Sequence, residues 1–216
     1  MPGYGYKNDS KHMIKEWLEE YKFANQQEAK DGMREIIQEI ALAGLSCTGF
    51  FEKAAFYSET ALRIFYGLER FSEDLDFSLL ATDTEFSLNK YQDAIIAEFN
   101  SQGMLVTIRE KEKTNIESAF RKSETVWKKL VLENIISQNG LNEVANIKIK
   151  IEVDRKPPPG FETEEKLLLK LFSFYVKCLT LPNLFAGKMH AVLFRKWGRM
   201  SKAGIGTIRN GISVRE

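Results

Sequence analysis

The run Phe71-Ser72-Glu73-Asp74-Leu75-Asp76-Phe77-Ser78-Leu79 constrains this chain most, because its residues alternate in character with a period of two. Phe71, Leu75, Phe77 and Leu79 fall on one face and Ser72, Asp74, Asp76 and Ser78 on the other, the pattern of a half-buried strand. Two carboxylates therefore stand side by side on a rigid support. They repel one another unless a hard cation sits between them, and Mg²⁺ is commonly held by one or two carboxylates together with substrate phosphates. The spacing points to phosphoryl chemistry, although a bare Asp-x-Asp also occurs on strand faces that are simply acidic and solvated.

The preceding residues add a second feature. Ser58 is placed to cap a short helix over 60–66, and Gly67 stands where a left-handed residue closes one. The free N–H groups and positive dipole end of such a helix favour an anion. A nucleoside triphosphate could then lie between Ser58 and a metal held by Asp74 and Asp76.

Thr60-Ala61-Leu62-Arg63 followed by Arg70-Phe71-Ser72-Glu73-Asp74-Leu75-Asp76 resembles the first motif of the AbiEii/AbiGii toxin family of nucleotidyltransferases, relatives of polymerase-β-like enzymes. The lead-in is similar too, with Ala43-Gly44-Leu45-Ser46 and then Phe50-Phe51-Glu52-Lys53-Ala54-Ala55-Phe56. The resemblance implies an α/β (α+β) polymerase-β-like fold, a small mixed sheet flanked by helices. It also implies transfer of a nucleotidyl group from an NTP to a hydroxyl or phosphate acceptor, assisted by two Mg²⁺ ions, with Asp74 and Asp76 as catalytic metal ligands. Nucleotide contacts would fall to Ser58, Thr60, Arg70 and Ser72. The biological role implied is that of the toxin of an abortive-infection toxin–antitoxin pair, with tRNA as a possible acceptor and a cognate antitoxin as partner.

The chain departs from the family where a Gly-Gly-Thr turn is expected, because Ser58 and Glu59 stand in place of the glycines. Glycines let a triphosphate approach the backbone closely, whereas Ser58 adds a side chain and Glu59 a negative charge beside the anion. Glu in the first turn stabilises the helix itself, so folding should survive while nucleotide binding weakens. Two rival readings follow: a catalytically disabled relative, and a small-molecule nucleotidyltransferase of the antibiotic-modifying kind.

Residues 147–154 alternate strictly, with Ile147, Ile149, Ile151 and Val153 on one face and Lys148, Lys150, Glu152 and Asp154 on the other. In polymerase-like sites a third carboxylate on a neighbouring strand completes the metal shell and can accept the proton of the attacking hydroxyl. Asp154 or Glu152 could fill that role and Lys150 could neutralise phosphate, while an antiparallel strand with a solvated charged face is the plainer alternative. Pro157, Pro158, Pro159 and Gly160 then break the sheet.

A helix over 184–197 places Phe185, Met189, Val192 and Leu193 on an expected buried side and Lys188 and Arg195 on another stripe. The resemblance maps Lys188, Ala191 and Arg195 onto a family helix that faces the active site, making Lys188 and Arg195 nucleotide-binding candidates. His190 has no partner at metal spacing and reads as a core or surface histidine.

Beyond this helix the resembling family continues with Lys-Gly-Arg-Asp-x-Tyr-Asp, whereas this chain reads Met200-Ser201-Lys202-Ala203-Gly204-Ile205-Gly206-Thr207. Back-translation as ATG TCA AAG GCA GGG ATT GGT ACG, read one base upstream, permits Val-Lys-Gly-Arg-Asp-Trp-Tyr-Asp. Residues 199–216 are therefore expected to be a frameshift product, an expectation that a nucleotide sequence without the alternate reading would remove.

The remaining text is packing. Helices are expected over 8–24, 26–45, where Gly44 begins the end, and 88–100; a strand is expected over 105–109, and 120–136 has no clear period. The division expected is 1–45 as N-terminal helices, 46–160 as the nucleotidyltransferase core, 161–198 as a helical C-terminal part and 199–216 as the out-of-frame tail. A net charge of +1 over 216 residues predicts neither a strongly nucleic-acid-like surface nor an acidic tail. Cys47 and Cys178 lack metal spacing and read as two buried free thiols. Without a signal peptide or an apolar run of roughly 18 residues, no membrane association and a cytoplasmic location are expected.

Overall fold

A computed structural model of the chain describes residues 25–109, 125–132, 147–169 and 172–194. The expected helix 8–24 and the tail 199–216 lie outside the described residues, as does Arg195.

The chain enters through helix α1 (Gln26–Ser46), capped by Asn25, whose side chain accepts from the Glu28 N–H at 2.9 Å. A 3₁₀ turn (Phe50–Glu52) leads to strand β1 (Ala54–Tyr57), then helix α2 (Glu59–Tyr66) and strand β2 (Asp74–Leu79). Another 3₁₀ turn (Leu88–Tyr91) runs into α3 (Gln92–Ser101), followed by β3 (Val106–Arg109), β4 (Thr125–Leu132) and β5 (Ile147–Asp154). Strands β6 (Thr163–Leu169) and β7 (Ser173–Leu179) precede α4 (Leu181–Phe194). The seven strands form one mixed sheet in the order β3-β4-β5-β2-β1-β7-β6. Among the described strands, β2 with β5 and β1 with β7 pair in parallel and the other neighbours pair antiparallel.

The alternation is kept over 147–154, whereas β2 starts only at Asp74: residues 71–73, expected in the strand, precede it, and Ser78, expected on the polar face, is buried. Leu75, Phe77 and Leu79 of β2 and Ile147, Ile149, Ile151 and Val153 of β5 are buried on one side of the sheet. Met33, Ile36, Ile37 and Ile40 of α1 join the same core, with α1 packed on β5 and β7. Phe50 anchors an aromatic cluster, with edge contacts to Phe77 at 4.9 Å and Tyr91 at 5.0 Å; each such ring adds about 1.5–3 kcal/mol of burial.

Gly44 lies in the last turn of α1 but does not cap it, the cap being Cys47. Gly44 is buried, and an added Cβ would come within 2.8 Å of Ile95 Cα, so glycine serves a close approach of α1 to α3. Several expectations are corrected. Residues 120–136 contain strand β4, whose mixed composition hid its period. The segment 161–198, expected to be helical, first contributes β6 and β7 to the sheet, and only Leu181–Phe194 is helix. On α4 the expected buried stripe is largely open: Phe185 is 44% and Leu193 68% exposed, while Leu184 is buried. Cys178 is buried as expected, but Cys47, at the C-terminal cap of α1, is exposed. No described helix is long and apolar enough to cross a membrane.

Candidate active site

The parallel pairing of β2 with β5 builds the site. It sets Asp74 against Lys150, Asp76 against Glu152 and Ser78 against Asp154, so these side chains share the sheet face opposite the apolar core. Both carboxylate candidates on β5 thus come to the aspartates, with Glu152 level with Asp76 and Asp154 one step beyond. The Glu152 carboxylate is paired with Lys150 Nζ, which also lies 5.8 Å from the centre of the Trp127 ring on β4. Asp154 accepts a hydrogen bond from the Lys156 N–H at 3.1 Å, at the turn that follows β5.

The electrostatics are those of an acidic pair short of positive charge. Burial, and then the charge of Asp74, push the Asp76 carboxyl up to about 6. Burial also raises Asp74; Lys150 opposes this, and Glu152 and Glu73 add to it. Among the described residues no three His, Cys, Asp or Glu side chains form a ready cage for an ion. Two adjacent carboxylates with mutual repulsion and only oxygen donors nevertheless fit Mg²⁺, which takes few protein ligands and relies on substrate phosphates for others.

Tyr57 was not singled out from the sequence. It pairs with Asp76 across the antiparallel β1–β2 ladder, and its phenol is held well above its ordinary pKa by burial and then by the charges of Asp76, Asp154 and Glu152. The signal that could have found it is its place one residue before the Ser58 turn, on a strand that had to pair with β2.

Ser58 and Glu59 follow directly. Ser58 adopts φ 90°, ψ −171°, a region populated almost solely by glycine, and it is the one described non-glycine residue with positive φ. Holding a serine there costs about 1–3 kcal/mol. Its hydroxyl lies close enough to Asp76 to favour the ionised carboxylate, yet the buried oxygen makes no hydrogen bond of full geometry and does not cap α2. Glu59, the first residue of α2, places Oε1 2.7 Å from Lys188 Nζ of α4 and Oε2 3.6 Å from Arg70 Nη1.

The other motif residues hold the frame. Thr60 is fully buried and its hydroxyl donates to the Asp74 carbonyl, tying α2 to β2 rather than facing a ligand. Ser72 is fixed through its carbonyl, which accepts from Gln38 Nε2 at 2.9 Å. Arg63 pairs with Glu35 of α1 at 2.6 Å, donates to the carbonyls of Leu68 and Glu69 at 3.0 Å each, and lies 3.8 Å above the Phe71 ring. Ala-Leu-Arg and Arg-Phe-Ser are thus largely the scaffold of the loop that delivers Asp74. Lys188 reaches this region through Glu59. His190 is exposed on α4.

A mixed sheet carrying an Asp-x-Asp strand beside a helix N-terminus, with helices packed on it, makes this an α/β protein. The family model for the nucleotidyl transferase AbiEii toxin of type IV toxin–antitoxin systems matches residues 40–204, more than half of the chain, and the chain belongs to that family. A search of curated proteins gave no match. Among solved structures, JHP933 from Helicobacter pylori is similar at TM-score 0.52 and 19% identity over 82% of this chain. MenT4, a nucleotidyltransferase toxin from Mycobacterium tuberculosis, is similar at TM-score 0.49 and 16% identity over 83% of this chain. The chain spans 63% of the length of JHP933 and 57% of that of MenT4.

Proposed function

We propose that this chain transfers a nucleotidyl group from an NTP to an RNA acceptor, tRNA being the acceptor the family suggests, as the toxin of a pair neutralised by a cognate antitoxin. The observation that carries the reading is the set of Asp74 and Asp76 on one strand with Glu152 level with Asp76 on the next. Asp74 and Asp76 would hold Mg²⁺, which when bound neutralises triphosphate charge and polarises the α-phosphorus. The first N–H groups of α2 and the Ser58 turn receive phosphate oxygens. Lys188 and Arg70 neutralise charge, with Arg195 a further cation that the family resemblance suggests. Glu152 or Asp154 accepts the proton of the acceptor hydroxyl, whose oxygen bonds to the α-phosphorus as pyrophosphate leaves.

A second reading, a catalytically disabled relative, is favoured by one specific observation: the two phosphate-turn positions hold a strained serine and a glutamate that occupies two nearby cations. The test is incubation with each α-labelled NTP, Mg²⁺ and total RNA. Label should enter the RNA fraction and fall at least a hundredfold for Asp76→Asn. Label in small molecules would favour the antibiotic-modifying alternative, and no transfer from any NTP would favour the disabled copy.

A further inference from the structure

We propose that Glu59 is a built-in competitor for the triphosphate, an internal anion that must leave Lys188 and Arg70 before a nucleotide can use them. The inference rests on the nucleotidyltransferase reading and adds a determinant of affinity to it. Glu59 is the first residue of α2, immediately after the turn at which phosphate would meet backbone N–H groups. Its two carboxylate oxygens are divided between two cations from distant parts of the chain, Lys188 at 2.7 Å and Arg70 at 3.6 Å. A carboxylate there offers those cations what a phosphate oxygen would offer, at shorter range and without leaving the chain.

The charge balance sharpens the point. Asp74, Asp76 and Glu152 already make this face acidic. With Glu59 in place, one of the two positive charges of Lys188 and Arg70 is offset by the protein and both cations are engaged by its carboxylate, so an incoming polyanion meets less free positive charge beside this acidic face. The arrangement can also open. The Glu59 and Lys188 side chains are 32% and 28% exposed and Arg70 51%, so water reaches the pair and the flexible Glu59 side chain has somewhere to go. Exposure limits how firmly the latch is held, since such pairs are individually weak. It acts through competition for the same cations rather than through rigidity.

The alternative role is purely structural, with Glu59 pinning α4 to α2. A double-mutant cycle separates the two. Calorimetry would measure inorganic tripolyphosphate without metal, and each NTP with Mg²⁺, on the full chain, Glu59→Gln, Lys188→Gln and the double variant, with Glu59→Gly as a second neutral replacement and Asp76→Asn as control. The expected result is at least tenfold tighter tripolyphosphate and NTP binding on neutralising Glu59. Lys188→Gln should change affinity little in the parent but remove most of the gain in the Glu59→Gln background. Equal or weaker binding by both Glu59 variants, with NTP binding still dependent on Asp76, would overturn the latch and leave the nucleotidyltransferase reading standing. Absence of polyphosphate and NTP binding in every variant would remove that reading and the latch together.

Discussion

Asp76 carries most of the electrostatic tension of the site. Its carboxyl, pushed up to about 6 by burial and by Asp74, holds a proton more tightly in the folded protein than in the unfolded chain, where the ordinary value is 3.8. For a raised carboxyl the sign is clear: the folded state binds more protons between pH 4 and 6, so this group's contribution to stability falls as pH rises through that window. Above it, the metal-free protein carries a penalty of about 2–3 kcal/mol at this residue, from the roughly two-unit shift. Asp76→Asn should therefore stabilise the metal-free protein at pH 7 by about that amount and confer little below pH 4, measured by urea unfolding across the range. An unchanged difference between the two proteins from pH 4 to 7 would show that Asp76 is not perturbed. Ser58 carries the other tension, a serine in a glycine conformation beside that carboxylate.

At the scale of elements, the site depends on how closely α1, α2 and the loop 67–73 pack. Arg63 of α2 reaches Glu35 of α1 and two loop carbonyls, and Gln38 of α1 holds the Ser72 carbonyl. The position of Asp74 is thus fixed from the rear by α1, which is placed in turn by its contact with α3 at Gly44. A Cβ at Gly44 would meet Ile95 backbone at 2.8 Å, and backbone cannot swing aside as a side chain can. Gly44→Ala should destabilise by about 1–3 kcal/mol through overpacking, despite the better helix propensity of alanine. Gly187, in α4 with nothing within 4 Å of an added Cβ, provides the control: Ala there should be neutral or stabilise by up to about 1 kcal/mol. Chemical denaturation of the two variants compares them, and equal effects would remove the packing argument.

For the molecule as a whole, the informative pairing is β1 with β7. It joins Phe56 to Cys178 and brings β6 and β7 into the sheet beside the strand that leads to the site. Phe174, Val176 and Cys178 are buried in the same core as α1. A nucleotidyltransferase core ending at residue 160 would therefore lack two strands, expose one edge of β1 and open part of its core. A chain truncated after Gly160 should show no cooperative unfolding transition, whereas the full chain should show one in urea. A transition of equal steepness in the truncated chain would make 161–198 a separate appendage instead. The exposed Phe185 and Leu193 on α4 and Leu167, Leu169 and Tyr175 on the β6–β7 hairpin lie in this late part of the chain.

How much of this was legible beforehand follows from where each piece of information resides. The Asp-x-Asp strand, the alternation of 147–154 and the left-handed Gly67 were readable because period and turn chemistry are local, and the predicted bounds of β5 were those found. The scaffold role of Arg63 and Thr60 was not readable, since a motif names residues without saying which way they face. Nor was strand β4 or the β6–β7 hairpin, because partner strands far apart in sequence override weak local pattern. The same holds for the site. Local sequence was sufficient to propose two carboxylates on one face and to mark Ser58 and Glu59 as departures. The level of Glu152 beside Asp76, the phenol of Tyr57 among three carboxylates and the capture of Lys188 and Arg70 by Glu59 depend on strand register and on contacts across the chain. Those are decided when the hydrophobic faces of the sheet and α1 close on one another.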